Sequence, residues 1–299
     1  MLRVSGFMRT KERVIHGALL LCALVSVATT AGIIWVLTIE SLRFFSEVSP
    51  VEFLLGGRWA PLLEPRSYGV LPLVCGTFLV AGGALLVAVP IGLGSGIFLS
   101  EYAPPSLRSV VKPILEVLAG IPTVVYGYFA LVFVTPEIIQ PLVPSADIFN
   151  AASAAIVVGV MIIPTIASLS DDAFRAVPRT LREAAYALSA TRLEVSTRVV
   201  LPAAMSGVVA AVILAFARAI GETMAVTLAA GAMARLTLDP FVSIQTMTSY
   251  IVQVSLGDTP HGTIEYQTIF AVGMLLFLIT LTFNVIAQRV LHRFREVYE

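Results

Sequence analysis

The sequence predicts an all-α membrane protein with six transmembrane helices, and three observations carry that prediction. The 299-residue chain is 58% hydrophobic and 13% charged, with a mean hydropathy of +0.92. A soluble domain carries about 25% charged residues to cover its surface, so lipid is the expected solvent here. The apolar residues gather into six runs, where a bilayer core needs about 20 residues per helical span. The Lys and Arg residues between those runs fall almost wholly on one side. The formal net charge is zero, which gives no reason to expect a nucleic-acid partner.

In chain order the runs are 14–39, 71–99, 113–134, 151–169, 199–232 and 268–290. The first follows basic residues and contains the small residues Thr29-Thr30-Ala31, two features shared with signal peptides. Its apolar stretch far exceeds the roughly 7–15 residues of a cleavable core, so it is read as a retained anchor. The fifth run is too long for one straight span and is expected to extend beyond the membrane or to bend.

Short loops rich in Lys and Arg stay in the cytoplasm. One side of a six-span arrangement holds Arg3, Arg9, Lys11, Arg13, Arg108, Lys112, Arg175, Arg179, Arg182, Arg192, Arg198, Arg289, Arg293 and Arg295. The other side holds Arg43, Arg58, Arg66 and Arg235. Fourteen against four puts both termini in the cytoplasm and supports an even span count, since deleting a span would scramble the segregation. The loop 40–70 is then external, with Trp59 expected on its surface, and the loop 171–198 is cytoplasmic.

Proline recurs within the runs at Pro90, Pro122 and Pro164, and glycine clusters at Gly82-Gly83 and at Gly92, Gly94 and Gly96. These fit close helix approach and also helices that kink. Cys22 and Cys75 lie inside apolar runs and read as unpaired thiols. His16, His261 and His292 show no metal-ligand spacing, so no metal or other cofactor is expected. The only lysines, Lys11 and Lys112, follow Thr10 and Val111 rather than Gly, so the chain has no phosphate-binding loop. No histidine lies deep in a run and no G-x-S-x-G occurs, which speaks against an intramembrane enzyme.

The segment 178–197 predicts a short amphipathic helix. Pro178 suits its first turn, and Leu181, Ala184, Ala185 and Leu188 recur at i, i+3, i+4 and i+7 as one apolar stripe. Arg182, Glu183, Tyr186 and Ser189 face elsewhere. Such a helix buries its stripe on lipid or in a partner's groove.

Arg218 and Glu222 lie within the fifth run at i, i+4, a spacing that shares a helix face. A charge at mid-membrane costs from about 2.5 kcal/mol upward. The pair is either a neutral clamp between helices or, with Arg218 on a substrate path, a site where Glu222 orients the guanidinium. Arg suits the second reading, because its planar fork matches an oxyanion and stays charged. Lys112 and Glu116 form another i, i+4 pair, expected at the membrane surface with a snorkelling lysine.

Glu183-Ala184-Ala185, Ser189 and, after nine further residues, Val199-Val200-Leu201-Pro202 resemble the EAA motif of ABC importer permeases. Ser189 stands where that family usually has Gly. The stretch Arg218-Ala219-Ile220-Gly221-Glu222-Thr223-Met224-Ala225 is similar to the signature of the phosphate-specific ABC importer permeases. So are Trp59-Ala60-Pro61, Tyr68-Gly69, Leu71-Pro72, Gly76-Thr77, Leu99-Ser100-Glu101-Tyr102-Ala103-Pro104 and Ile121-Pro122-Thr123-Val124-Val125-Tyr126-Gly127. Met224-Ala225-Val226 and Thr248-Ser249-Tyr250-Ile251 resemble the PstC branch of that family.

The resemblance implies a single permease domain over 1–299 with the ABC importer type I (MetI-like) permease fold, in a prokaryotic plasma (inner) membrane. It implies that Glu183, Ala184, Ala185, Tyr186, Leu188 and Ser189 meet a separate ATPase subunit. It implies that Arg218, Glu222 and Thr223 line the substrate pathway. The implied partners are a PstA-like second permease, a PstB-like ATPase dimer and a PstS-like periplasmic phosphate-binding protein. The alternatives are a permease for another oxyanion, such as sulfate, molybdate or phosphonate, and an ion-coupled secondary transporter.

Overall fold

The computed structural model describes residues 6–294, and for 6–11, 13 and 290–294 the backbone alone. Of the basic residues counted above, Arg3, Arg295 and the side chains of Arg9, Lys11, Arg13 and Arg293 lie outside the described residues. Helix α1 (Gly6–Glu47) is followed by the short α2 (Pro50–Leu55) and a two-stranded hairpin, β1 (Trp59–Ala60) and β2 (Ser67–Tyr68). Next come α3 (Leu71–Ile97) with a closing π-helical turn at Phe98–Tyr102, α4 (Pro105–Ala119), and α5 (Thr123–Phe129) continuing through a π-helical stretch, Ala130–Ile139, into α6 (Gln140–Leu142). Helix α7 (Ala151–Ala176) leads to α8 (Arg179–Ala187) and α9 (Arg192–Glu194). A third π-helical stretch, Val195–Val200, runs into α10 (Leu201–Ala203) and α11 (Met205–Ile220). The chain closes with α12 (Met224–Ala230), α13 (Met247–Leu256) and α14 (Ile264–Phe294).

Five helical stretches among the described residues are long and apolar enough to cross a membrane. They are Val14–Glu47, Leu71–Tyr102, Thr123–Leu142, Ala151–Ala176 and Ile264–Arg289. A sixth is the pair Arg192–Ala203 and Met205–Ile220, which meet at 72°. A bend in the fifth run is therefore present, at Ala204 (φ −91°, ψ 3°), where α10 gives way to α11.

The third run is corrected. Residues 113–134 do not form one span, because α4 ends at Gly120 and Pro122 precedes α5 with an extended backbone (ψ 134°). Proline forces its preceding residue out of the helical region, so Ile121-Pro122 splits one apolar run into two helices. Helix α4 has no buried residue and carries Leu107, Val110, Ile114 and Val117 on an exposed stripe. Its polar face reaches α7 instead of pairing internally. Lys112 Nζ lies 2.9 Å from Asp172 and 3.7 Å from Asp171 rather than on Glu116, and Arg108 Nη2 donates to Asp171 at 2.6 Å. Asp171 is fully buried, and a buried carboxylate persists only with such partners. Pro90 and Pro164, by contrast, sit inside α3 and α7 without ending either helix.

The core is the seam between α3 and α7. Ala81, Ala84 and Ala88 face Val158, Ile162 and Ile166, all essentially without exposure. A Cβ added at Gly92 would stand 2.8 Å from the Ile166 side chain, which shows how closely the two backbones approach. Helix α1 stands apart and meets α14 at its far half, where Ser41 Oγ donates to the Phe270 carbonyl at 2.9 Å.

At the end of α1, Phe44, Phe53, Trp59, Tyr68 and Tyr250 form an aromatic cluster. Trp59, expected at the surface, is buried here, its ring edge-on to Tyr250 at 4.9 Å between centroids. The hairpin pairs Trp59 with Tyr68, so a side chain that polar neighbours mark as external is carried inward. Burial in this cluster pushes the Tyr68 phenol above its ordinary pKa, opposed by the nearby Arg66 charge.

After α12 the chain turns at Gly231 (φ +86°) and folds back as the irregular segment 232–246 before α13. Its last part is buried and tied to protein: Ile244 N–H donates to Ala230 O at 3.0 Å, and Ser243 N–H to Asp147 Oδ2 at 2.9 Å. The start of α13 is fixed by Met247 N–H donating to Thr77 Oγ1 at 3.0 Å.

Candidate functional site

Arg218, Glu222 and Thr223 meet at a break in the fifth span. Helix α11 stops at Gly221, whose N–H donates to Ala217 O at 3.2 Å, and α12 starts after Thr223. The i, i+4 face needs a continuous helix, so Arg218 and Glu222 do not share one. Arg218 is exposed, and its Nη1 donates to Thr165 Oγ1 on α7 at 3.3 Å. Among the described residues no carboxylate lies within ion-pair distance of it.

Glu222 is turned the other way and buried. Its Oε1 accepts from the Ala225 N–H at 3.2 Å, and its carbonyl accepts from Thr248 Oγ1 at 2.8 Å. A carboxylate at a helix start satisfies an orphan N–H and meets the positive end of the helix dipole. Thr223 Oγ1 donates to Gly221 O at 3.1 Å, bridging the break. So the structure joins Arg218 to Thr165 and Glu222 to α12 and α13, and does not bring Arg218 and Glu222 into contact.

The second site is α8 and the turn that follows it. Pro178 precedes the helix rather than entering its first turn. Leu181 and Ala185 pack on the apolar cluster of Phe174, Val177, Val195 and Val200. Ala184 and Leu188 do not join them. Both are exposed, together with Glu183, Tyr186 and Ser189. The predicted stripe splits because Leu188 has already left the helix (ψ 14°).

The helix then ends in a Schellman turn: Ala190 N–H donates to Ala185 O at 3.2 Å and Ser189 N–H to Tyr186 O at 2.9 Å. Ser189 takes φ +63°, the left-handed conformation that glycine adopts without strain. A glycine suits this position for that reason, and the serine keeps the same turn.

Sequence reading missed what holds α8 in place. Arg182, assigned to a face away from the core, points inward. Its Nη2 lies 2.8 Å from Glu101 Oε1, its Nε lies 3.3 Å from both Glu101 oxygens, and it donates to the carbonyls of Val177 (2.6 Å) and Phe174 (2.7 Å). Beside it a cavity of about 930 Å3 separates α8 from α4, lined by Glu101, Arg108, Lys112, Arg179, Glu183 and Tyr186. Glu101 and Arg182 are 81 residues apart, and no periodicity links them. The available signal was chemical: a carboxylate ending an apolar run needs a cation. Thr165 was missed for lack of any such signal.

Comparison with known proteins follows the same lines. The family described as "binding-protein-dependent transport system inner membrane component" matches residues 88–296. A probable ABC transporter permease protein, YqgH, from Bacillus subtilis (strain 168) is 38% identical over 264 residues, 88% of this chain and 85% of its own length. A phosphate transport system permease protein, PstC, from Mesorhizobium japonicum is 34% identical over 260 residues, 81% of this chain and 78% of its own. Among solved structures, a chain of the MetNI methionine ABC transporter in an inward-facing conformation aligns with a TM-score of 0.58 at 20% identity. That alignment covers 79% of this chain and all of the other, and it shows a shared fold, the MetI-like ABC importer permease fold. The chain belongs to the family of binding-protein-dependent transport system inner membrane components.

Proposed function

We propose that this chain is the PstC-like permease subunit of an ATP-driven importer of inorganic phosphate. It forms the translocation pathway with a PstA-like second permease, couples to a PstB-like ATPase dimer and receives substrate from a PstS-like periplasmic binding protein. It sits in a prokaryotic plasma (inner) membrane with both termini in the cytoplasm. The PstC relative supports the substrate class.

Arg218 is the observation that carries the reading. An exposed guanidinium within a span, bonded to a threonine hydroxyl and to no carboxylate among the described residues, keeps its full field for a passing anion. A charge there costs from about 2.5 kcal/mol upward, and a recurrent anionic ligand offsets that cost. Glu222 forms no ion pair with Arg218, and its carboxylate accepts instead from the start of α12. Together with Thr223 it shapes the break that leaves Arg218 facing open space.

On the cytoplasmic side, Glu183, Ala184, Tyr186, Leu188 and Ser189 form the outward face of α8 and its turn, and this is the face that meets the ATPase. Ala185 turns inward and supports that face rather than touching the partner. On the external side, Val51, Leu55, Leu62 and Leu63 are exposed and take the place of the buried Trp59 as the surface for the binding protein.

The test is uptake by the assembled complex in liposomes. A hydrogen bond to a charged group is worth about 1.5–3 kcal/mol, so Arg218→Ala lowers phosphate uptake by about one to two orders of magnitude while the complex still assembles. Unchanged uptake sinks the role of Arg218. The YqgH name carries no substrate, which keeps another oxyanion in play. Sulfate or molybdate competing as well as phosphate would select that alternative.

A further inference from the structure

We propose that the Glu101–Arg182 pair is the strut through which movement of α8 reaches the second and fourth spans. The proposal rests on the reading of α8 as the ATPase-docking element and assigns its inner face. Arg182 contacts three pieces of the chain at once. It belongs to α8, it donates to the last carbonyls of α7 at Phe174 and Val177, and it grips both oxygens of Glu101 at the end of α3. The side chains of Arg182 and Glu101 are 16% and 7% exposed, so water screens the contact little. Ser100 Oγ donates to the same Glu101 oxygen at 2.9 Å and helps to hold the carboxylate in place.

Among the described residues, no other ion pair ties α8 to the spans. Its apolar hold is Leu181 and Ala185 on the cluster around Phe174, and on its other flank lies the cavity that separates it from α4. A helix held on one face and free on another can tilt, and its displacement is passed on by its stiffest contact. A guanidinium bonded to a carboxylate and two carbonyls is that contact, because its planar fork fixes direction as well as distance.

Glu101 also lies in the π-helical turn Phe98–Tyr102, closed by Ala103 N–H donating to Phe98 O at 2.8 Å. Single π-helical turns concentrate at functional sites. The turn gives α3 a place to rewind when Glu101 is pulled. Glu101 and Arg182 are positioning residues, acting through the elements that they join.

The experiment measures phosphate uptake and ATP hydrolysis together, in liposomes containing this chain, the second permease, the ATPase and the binding protein. Glu101→Gln keeps the shape of the side chain and removes its charge. Arg182→Lys keeps a charge that cannot reach three acceptors. In both, ATP hydrolysis continues while phosphate taken up per ATP falls at least about fivefold, the lower end of coupling effects between distant sites. Glu101→Asp retains more of the ratio than Glu101→Gln.

A cross-linker at Tyr186→Cys reports docking, and it captures the ATPase equally with Glu101 or Gln at position 101. An unchanged uptake ratio with capture intact overturns the strut and leaves the docking reading standing. No capture with Glu101 in place overturns both. Uptake and hydrolysis falling in proportion, or loss of assembly in both Glu101→Gln and Arg182→Lys, overturns the strut in favour of a pair that only stabilises the fold.

Discussion

Ser189 shows how one residue records the geometry of its surroundings. Its φ of +63° is forced by the two hydrogen bonds that close the end of α8. A left-handed conformation costs a non-glycine residue about 1–2 kcal/mol, partly offset by the greater freedom glycine has in the unfolded chain. Ser189→Gly therefore stabilises the protein by about 1 kcal/mol, read as a higher thermal midpoint in detergent. Ser189→Val lowers that midpoint, because a β-branched residue is an outlier at positive φ. A lower midpoint for the glycine variant would contradict this account of the turn. Arg218 and Glu222 teach a complementary lesson. Both were legible as costly charges in an apolar run, but their partners were not, because the i, i+4 rule presumes a helix that Gly221 in fact ends.

At the scale of elements, apolar runs located the spans well and their interruptions poorly. Helix α7 begins at Ala151 as expected, and α14 spans the whole of the last run. Pro113 and Pro122 lie in one apolar run, yet the first sits inside α4 and the second ends the helical path. Hydropathy averages over such breaks. The irregular segment before α13 was invisible for a related reason: where it ends is fixed by bonds from Met247 to Thr77 and from Thr248 to Glu222, residues far apart in sequence.

That segment packs directly on α3. A Cβ built at Gly76 would fall 2.5 Å from the Gln245 carbonyl oxygen, a backbone atom with little room to yield. Gly76→Ala therefore destabilises the fold by about 1–3 kcal/mol, as overpacking does, measured by thermal unfolding. Gly82→Ala, where an added Cβ meets nothing within 4 Å, serves as the tolerant control on the same helix. Equal midpoints for the two variants would remove the close contact from the account.

For the whole molecule, the segregation of Lys and Arg predicts cytoplasmic termini, an expectation with a simple test. In a chain with Cys22 and Cys75 replaced by Ala, Leu62→Cys is labelled in intact cells by a membrane-impermeant maleimide. Arg179→Cys is labelled only after the membrane is opened. The reverse pattern would invert the topology. The long exposed helix α1, whose apolar side chains from Val14 to Val36 touch little else in the chain, fits a molecule solvated by lipid and by other subunits.

What the sequence determined by itself was chiefly what depends on composition and on hydropathy along the chain. It marked the chain as a membrane protein, located most of its apolar spans, and picked out the segment 178–197 as the site of a short amphipathic helix. These follow from transfer free energies and helical periodicity, which act residue by residue. Only the tertiary structure decided which charges meet. Arg182 found Glu101 across 81 positions, Arg218 found Thr165 rather than Glu222, and Trp59 went inward rather than to water. Such pairings depend on how helices stack in space, and in a low-dielectric interior the strongest contacts are those that distant stretches of chain must be folded together to make.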